Sequence, residues 1–230
     1  MLEQLPIEFG GARLLLLGDR ALYWPQERLL VIADLHLGKG ATFRAHGIAI
    51  PGGGTTHDLN RLDRLLLETS AQGLLILGDV LHGGQPQARW RDAWSAFRQR
   101  WHALEMTAII GNHDRELAML SLGLGLLQDS WRRQGIDFRH DASNAAGPTI
   151  GGHLHPVTKI AGEARRQPVF WVNARRIVLP AFSAFTGGYL VRAVRGDDLY
   201  ACNGEQLVQV FPRQGRSGSR SDGNSDAVAD

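Results

Sequence analysis

The sequence predicts an α/β fold built on parallel strands, and three observations carry that reading. Three apolar runs, "RLLVIAD" (28–34), "GLLILGD" (73–79) and "MTAIIGN" (106–112), are rich in leucine and β-branched residues without alternation. Runs of that kind fit strands buried on both faces. Each run stops at a polar residue: Asp34, Asp79 and Asn112. Helical patterns separate them, and strand–helix–strand units of this length imply parallel strands joined by right-handed crossovers. The ligands of such sheets gather beyond the carboxyl ends of the strands, where these three polar residues fall.

The elements follow in order. The segment 12–34 reads as strand–turn–strand, ending in the first apolar run. After the glycines at 52–54, Thr55 and Thr56 are N-cap candidates for a helix with Leu59, Leu62, Leu65 and Leu66 on one face. A second helix, roughly 86–104, carries Trp90, Trp94, Phe97 and Trp101 at helical spacing, and a third runs from near Asp114 through "RELAMLSLGLGLL". Beyond them, "QPVFWVN", "RIVLPAF" and "GGYLVRAV" are strand-like with turns between, which suggests a second sheet or meander. From residue 213 the chain is polar and rich in Ser, Gly, Arg and Asp, so one domain over 1–212 with a disordered tail over 213–230 is expected.

The bulk properties exclude little. At 230 residues the chain can bury a sizeable core, and its net charge of +2 neither demands nor forbids a nucleic-acid partner. No apolar run approaches a membrane span and no secretory signal is visible. A single cysteine, Cys202, leaves no internal disulfide, so a cytoplasmic location is expected.

Chemistry concentrates in four short motifs: D-x-H (Asp34, His36), G-D (Asp79), G-N-H-D (Asn112, His113, Asp114) and G-H-x-H (His153, His155). In an extended backbone residues i and i+2 share a face. His153 and His155 therefore present two imidazoles together, an arrangement suited to metal. Each fragment alone is common, but the ordered set resembles the calcineurin-like metallophosphoesterases over residues 30–160. That resemblance implies a four-layer α/β/β/α sandwich with two mixed β-sheets and a two-metal site. It implies that Asp34, His36 and His155 hold one metal, Asn112 and His153 the other, and that Asp79 bridges both. It also implies one further histidine on the second metal, which falls on His140. Physically, two divalent cations some 3.5–4 Å apart need a shared carboxylate between them, and a water held there becomes a nucleophile near neutral pH. His113, beside a ligand, is then free to protonate a leaving alkoxide, with Asp114 placed to hold its ring. Mixed N/O donors suit Mn²⁺, Fe²⁺ or Zn²⁺, and the resemblance favours Mn²⁺.

Segments outside the ligands narrow the resemblance. "ADLHLGKGATFRAHGIAIPGG", "LGDVLHGG", "GNHDR", "GGHLHP" and "LPAFSAFTGG" together look like the bacterial ligase-associated DNA damage response endonuclease family, PdeM. The implied activity is a manganese-dependent phosphodiesterase or endonuclease acting on DNA in repair, alongside a DNA ligase and a helicase or exonuclease. His82 matches a histidine found beside the site in double-strand-break repair nucleases of the same superfamily. Lys39 and Arg44 are candidates to meet phosphate through charge-assisted bonds. The alternatives are a phosphoesterase for a nucleotide or other small phosphodiester, and a non-catalytic scaffold of the same fold. The Trp90–Trp101 segment reads as a helix face packed on a sheet before it reads as a base-stacking surface. The Arg-Arg pairs at 132–133, 165–166 and 175–176 are scattered along the chain.

Overall fold

The computed structural model describes residues 3–49, 51–82, 90–144, 146–184, 186–204 and 206–210. The tail expected from 213, and positions 86–89 of the second helix, lie outside them. The first sheet holds seven strands in chain order: β1 (Gln4–Phe9), β2 (Ala12–Leu17), β3 (Ala21–Trp24), β4 (Leu29–Ala33), β5 (Gly73–Leu77), β6 (Glu105–Ile109) and β7 (Gly125–Leu127). β1 to β4 form an antiparallel meander, and β4 to β7 are parallel. The crossovers carry α1 (Lys39–Ala45) and α2 (Gly54–Thr69) between β4 and β5, then α3 (Trp90–Arg100) between β5 and β6.

The second sheet is built from β8 (Ser130–Arg133), β9 (Ile136–Arg139), β10 (Thr149–Gly151), β11 (Pro156–Thr158), β12 (Gln167–Val172), β13 (Arg176–Val178), β14 (Tyr189–Leu190), β15 (Asp198–Cys202) and β16 (Leu207–Val210). Its path runs β14-β11-β12-β13-β10-β9-β8, with β15 on β12 and β16 on β15. It too is mixed: β10 lies parallel to β9 and β13, while β12 is antiparallel to β13 and β15.

The apolar runs lack alternation because both faces of the first sheet are covered. Leu30, Ile32, Leu74 and Ile76 face Leu59, Leu62, Leu65 and Leu66 of α2 and Trp90, Trp94 and Phe97 of α3. Val31, Ala33, Leu75 and Leu77 face the other way, against Phe138, Ile150, Phe170 and Ile177 of the second sheet. Trp90 and Trp94 are core and Trp101 packs half-buried against it: Trp94 Nε1 donates to the Leu122 carbonyl at 2.9 Å, and Trp101 Nε1 to Asp63 at 2.8 Å. The two mixed sheets and the helical layer on the first sheet are three layers of the expected sandwich. On the far face of the second sheet Val169, Val191, Leu199 and Ala201 form a small cluster to which no helix of the described residues contributes. Cys202 is a buried free thiol, pushed up to about 12 by desolvation, and behaves as a core apolar group.

Two local readings change. The cap of α2 is Gly53, at φ 86° and without a side-chain bond, so Thr55 and Thr56 fall inside the first turn. No third helix forms after Asp114. The segment gives one 3-10 turn, Leu117–Met119, and then β7 on the edge of the first sheet. Gly123 and Gly125 each make a helix there about 1 kcal/mol less favourable than alanine would. Pairing on β6 instead satisfies the backbone of 125–127 and packs Leu126 on the helical side and Leu127 between the sheets.

Candidate metal centre

All of the motif residues leave strand ends on one rim of the molecule. Asp34 and His36 follow β4, Asp79 follows β5, and Asn112 and His113 follow β6; His140 follows β9, and His153 and His155 follow β10. The turns that aim them are tight. Asp34, His36, Asp79, His153 and His155 all sit in the left-handed region, with φ between 47° and 68°. That conformation costs a non-glycine residue about 1–3 kcal/mol and persists where surrounding contacts over-determine it. Here they do. His36 N and Leu37 N bond the carbonyls of Asp79 and Val80 at 2.8 and 2.7 Å, and His153 N donates to Asp34 Oδ2 at 3.0 Å.

Ligand atoms converge in two groups that share one residue. Asp34, His36, Asp79 and His155 form the first, and Asp79, His140 and His153 the second. The amide oxygen of Asn112 joins the second, 2.9 Å from His140 Nε2. The backbone fixes the rings so that their free lone pairs face inward. His140 Nδ1 lies 3.0 Å from the Leu77 carbonyl and His36 Nδ1 3.4 Å from that of Leu81. A carbonyl only accepts, so a ring that keeps its proton on Nδ1 offers Nε2 to a metal, the orientation both rings have here. His36 Nε2 then faces His155 Nε2 at 3.3 Å, and His140 Nε2 faces His153 Nδ1 at 3.0 Å. Desolvation takes His36 down to about 2, so it stays neutral.

The centre is short of positive charge. Asp34 Oδ1 is fully buried with no hydrogen-bond partner, 3.6 Å from His155 Nε2 and 3.8 Å from His140 Nδ1. A carboxylate oxygen left so costs several kcal/mol unless a cation meets it. Two carboxylates, neutral imidazoles held by carbonyls through their second nitrogen, and an amide oxygen form a donor set for hard or borderline divalent metals. The residues fit two such ions, with Asp79 common to both.

The motif glycines make room for this. A Cβ at Gly111 would stand 2.3 Å from Asp79 N and Oδ1, and one at Gly152 2.6 Å from Asp34 Oδ2. Gly111→Ala is therefore expected to displace the Asp79 carboxylate and weaken metal binding by about 10–100-fold, read by calorimetric titration with Mn²⁺. Unchanged affinity would mean that the loop yields without moving Asp79.

The remaining candidates divide. The His113 ring packs against His36 and His82, with centroids 5.7 and 5.3 Å away, and its backbone N–H donates to Asp79 Oδ1 at 2.9 Å. His82 also meets His36 edge-on, and desolvation holds it at about 4. Lys39 is buried close enough to feel the charges of Asp34 and Asp79, and desolvation lowers it. Arg44 is exposed and donates to the Pro51 carbonyl at 3.2 Å. Asp114 departs from its expected place on the His113 ring. Its two oxygens take the backbone N–H groups of Leu81 and Gly111, both at 2.9 Å. It thus ties the Asp79 loop to the Asn112 loop through backbone amides.

A further layer gave no signal of its own in the sequence. Asp58 accepts the N–H of Ala184, and Arg61 donates to the carbonyls of Phe182 and Asp19 at 2.9 and 2.7 Å. Phe182 N and Ser183 N in turn donate to the carbonyls of Ala33 and Asp34. Residues 181–184 thus form a strap that α2 presses against the strand end bearing Asp34. Asp58 and Arg61 looked like ordinary polar positions on a helix, and only their i, i+3 spacing hinted at a pair.

A profile of the family "Calcineurin-like phosphoesterase" matches residues 27–208. The crystal structure of Pseudomonas putida nuclease MPE is 34% identical over 90% of this chain and 100% of that one, with a TM-score of 0.78. More distant are a phosphoesterase from E. coli, Yfce (17% identity, 79% and 97% covered, TM-score 0.44), and AQ665 from Aquifex aeolicus, a protein of unknown function (16%, 55% and 78%, 0.41). No curated protein matches the chain. With the family profile spanning most of its length, the chain belongs to the calcineurin-like phosphoesterases.

Proposed function

We propose that the protein is a two-metal phosphodiesterase that cuts DNA as an endonuclease. The observation that carries this reading is the pair of ligand groups sharing Asp79, one of them holding a buried carboxylate oxygen of Asp34 without a hydrogen-bond partner. Similarity to a Pseudomonas putida nuclease over nearly the whole chain supports nucleic acid as the substrate. On this reading Asp34, His36 and His155 hold one metal, Asn112, His140 and His153 the other, and Asp79 both, with Mn²⁺ the native ion. When bound, the metals supply an activated water and neutralise phosphoryl charge. His113, whose ring is fixed against His36 and His82, donates a proton to the leaving oxygen. His82 and Lys39 shape that wall of the site, and Asp114 positions the two loops. The proposed setting is DNA repair in the cytoplasm, alongside a DNA ligase and a helicase or exonuclease.

The test is hydrolysis by metal-stripped protein of bis-p-nitrophenyl phosphate and of a single-stranded or nicked DNA, with Mn²⁺ added back. Manganese-dependent cleavage of both is expected. Cleavage of the small diester alone would move the substrate to nucleotides, and cleavage of neither by metal-loaded protein would leave a scaffold.

A further inference from the structure

The three Arg-Arg pairs come to different ends in the fold. Arg133 is spent on Glu27 at 2.6 Å, and Arg176 lies over the Trp171 ring at 4.1 Å. Arg165 and Arg166 are exposed, form no ion pair with a described residue, and line a cavity of about 350 Å³ together with Arg20 and His155. Three cations therefore stand on one side of the centre, next to an imidazole that belongs to its first ligand group. No carboxylate is among the described residues that line the cavity. The nearby acids are engaged: Asp19 with Arg61 and Arg64, Asp58 with Arg61, and Glu163 with the Gln167 amide. Arg20 is fixed at the cavity's base, its Nη1 donating to the Ser183 carbonyl at 3.2 Å on the strap that backs Asp34.

An exposed arginine pair is ordinarily a solvated surface. What decides otherwise is the shared wall. A chain leaving the metal centre past His155 enters a groove lined by three arginines and no carboxylate of the described residues. Arginine forks match phosphate oxygens two at a time, and contacts of this kind hold a nucleic-acid strand in register without reading bases. A small diester carries one charge, which the metals take up. A polynucleotide carries another at each neighbouring nucleotide.

We propose that the cavity walled by Arg20, Arg165 and Arg166 is a subsite for a neighbouring phosphate of the same nucleic-acid strand, holding that strand while the phosphate at the metals is cut. This rests on the DNA-cleaving reading above. The test compares the manganese-loaded full chain with R165A/R166A and R165K/R166K. Arg20 is left in place because it also braces the strap. The readouts are the ratio of kcat/KM for a single-stranded oligodeoxynucleotide to that for bis-p-nitrophenyl phosphate, and the salt dependence of oligonucleotide binding. The alanine pair is expected to lower the ratio tenfold or more and to flatten the log–log salt slope by about one to two units. The lysine pair, with its charges kept, is expected to recover most of both. An oligonucleotide-cleaving wild type whose ratio and slope survive in R165A/R166A would overturn the subsite alone. A wild type that cleaves the small diester but no oligonucleotide would overturn the DNA reading, and the subsite with it.

Discussion

Alanine at Asp79 is expected to abolish both metal loading and turnover. Its carboxylate is the one residue common to both ligand groups, and its Oδ1 lies 3.6 Å from His140 Nε2. Removing it leaves two cations with no anion between them to offset their repulsion. It also frees the His113 N–H, which loses its 2.9 Å acceptor. Substitutions that merely support a ligand cost about 10–100-fold in metal affinity, so loss of the shared ligand itself costs more. Elemental analysis after dialysis against Mn²⁺ would show the variant with less than the wild-type metal content and no measurable diester hydrolysis. Full metal content in Asp79→Ala would mean that the two groups do not depend on a common carboxylate.

His113→Ala separates chemistry from binding. The ring borders the centre through aromatic contacts with His36 and His82 and is absent from both ligand groups. Metal content should therefore stay at the wild-type level while turnover falls by about 10²–10⁴-fold, the usual worth of a placed general acid. The loss should grow with the basicity of the leaving group, small for p-nitrophenolate and largest for an aliphatic alkoxide. An emptied metal site would refute the division of roles, and equal losses for good and poor leaving groups would remove His113 as the acid.

Much of this was legible in the sequence because the site hangs on strands that are buried on both faces. An unbroken apolar run ending in Asp34, Asp79 or Asn112 announces both a central strand and its carboxyl end. The ligands could be read because each needs its own residue type beside a glycine whose missing Cβ makes space, as at Gly111 and Gly152. What stayed hidden depends on partners far along the chain. β1 shows only a modest alternation of Leu5, Ile7 and Phe9, and the β8–β9 hairpin turns on Gln134 and Gly135, both at positive φ, a weak signal in sequence. The segment after Asp114 has leucines at helical spacing, yet an open sheet edge offered its backbone better partners. Asp114 itself was assigned by adjacency to His113, and two backbone amides claimed it instead. The strap at 181–184 is stabilised by α2 across more than a hundred residues, a contact no local pattern encodes.

Neither ligand group belongs to one sheet. The first draws Asp34 and His36 from the first sheet and His155 from the second; the second draws Asp79 from the first and His140 and His153 from the second. His36 and His155 meet across 119 positions of chain. Contacts of such separation form late in folding, after the ends of a long loop have been brought together. In a chain whose sheets have not met, His140, His153 and His155 are away from their partners and neither ligand group is complete. Competence arrives only when the two sheets have closed, so the fold itself acts as the safety catch on a hydrolytic blade.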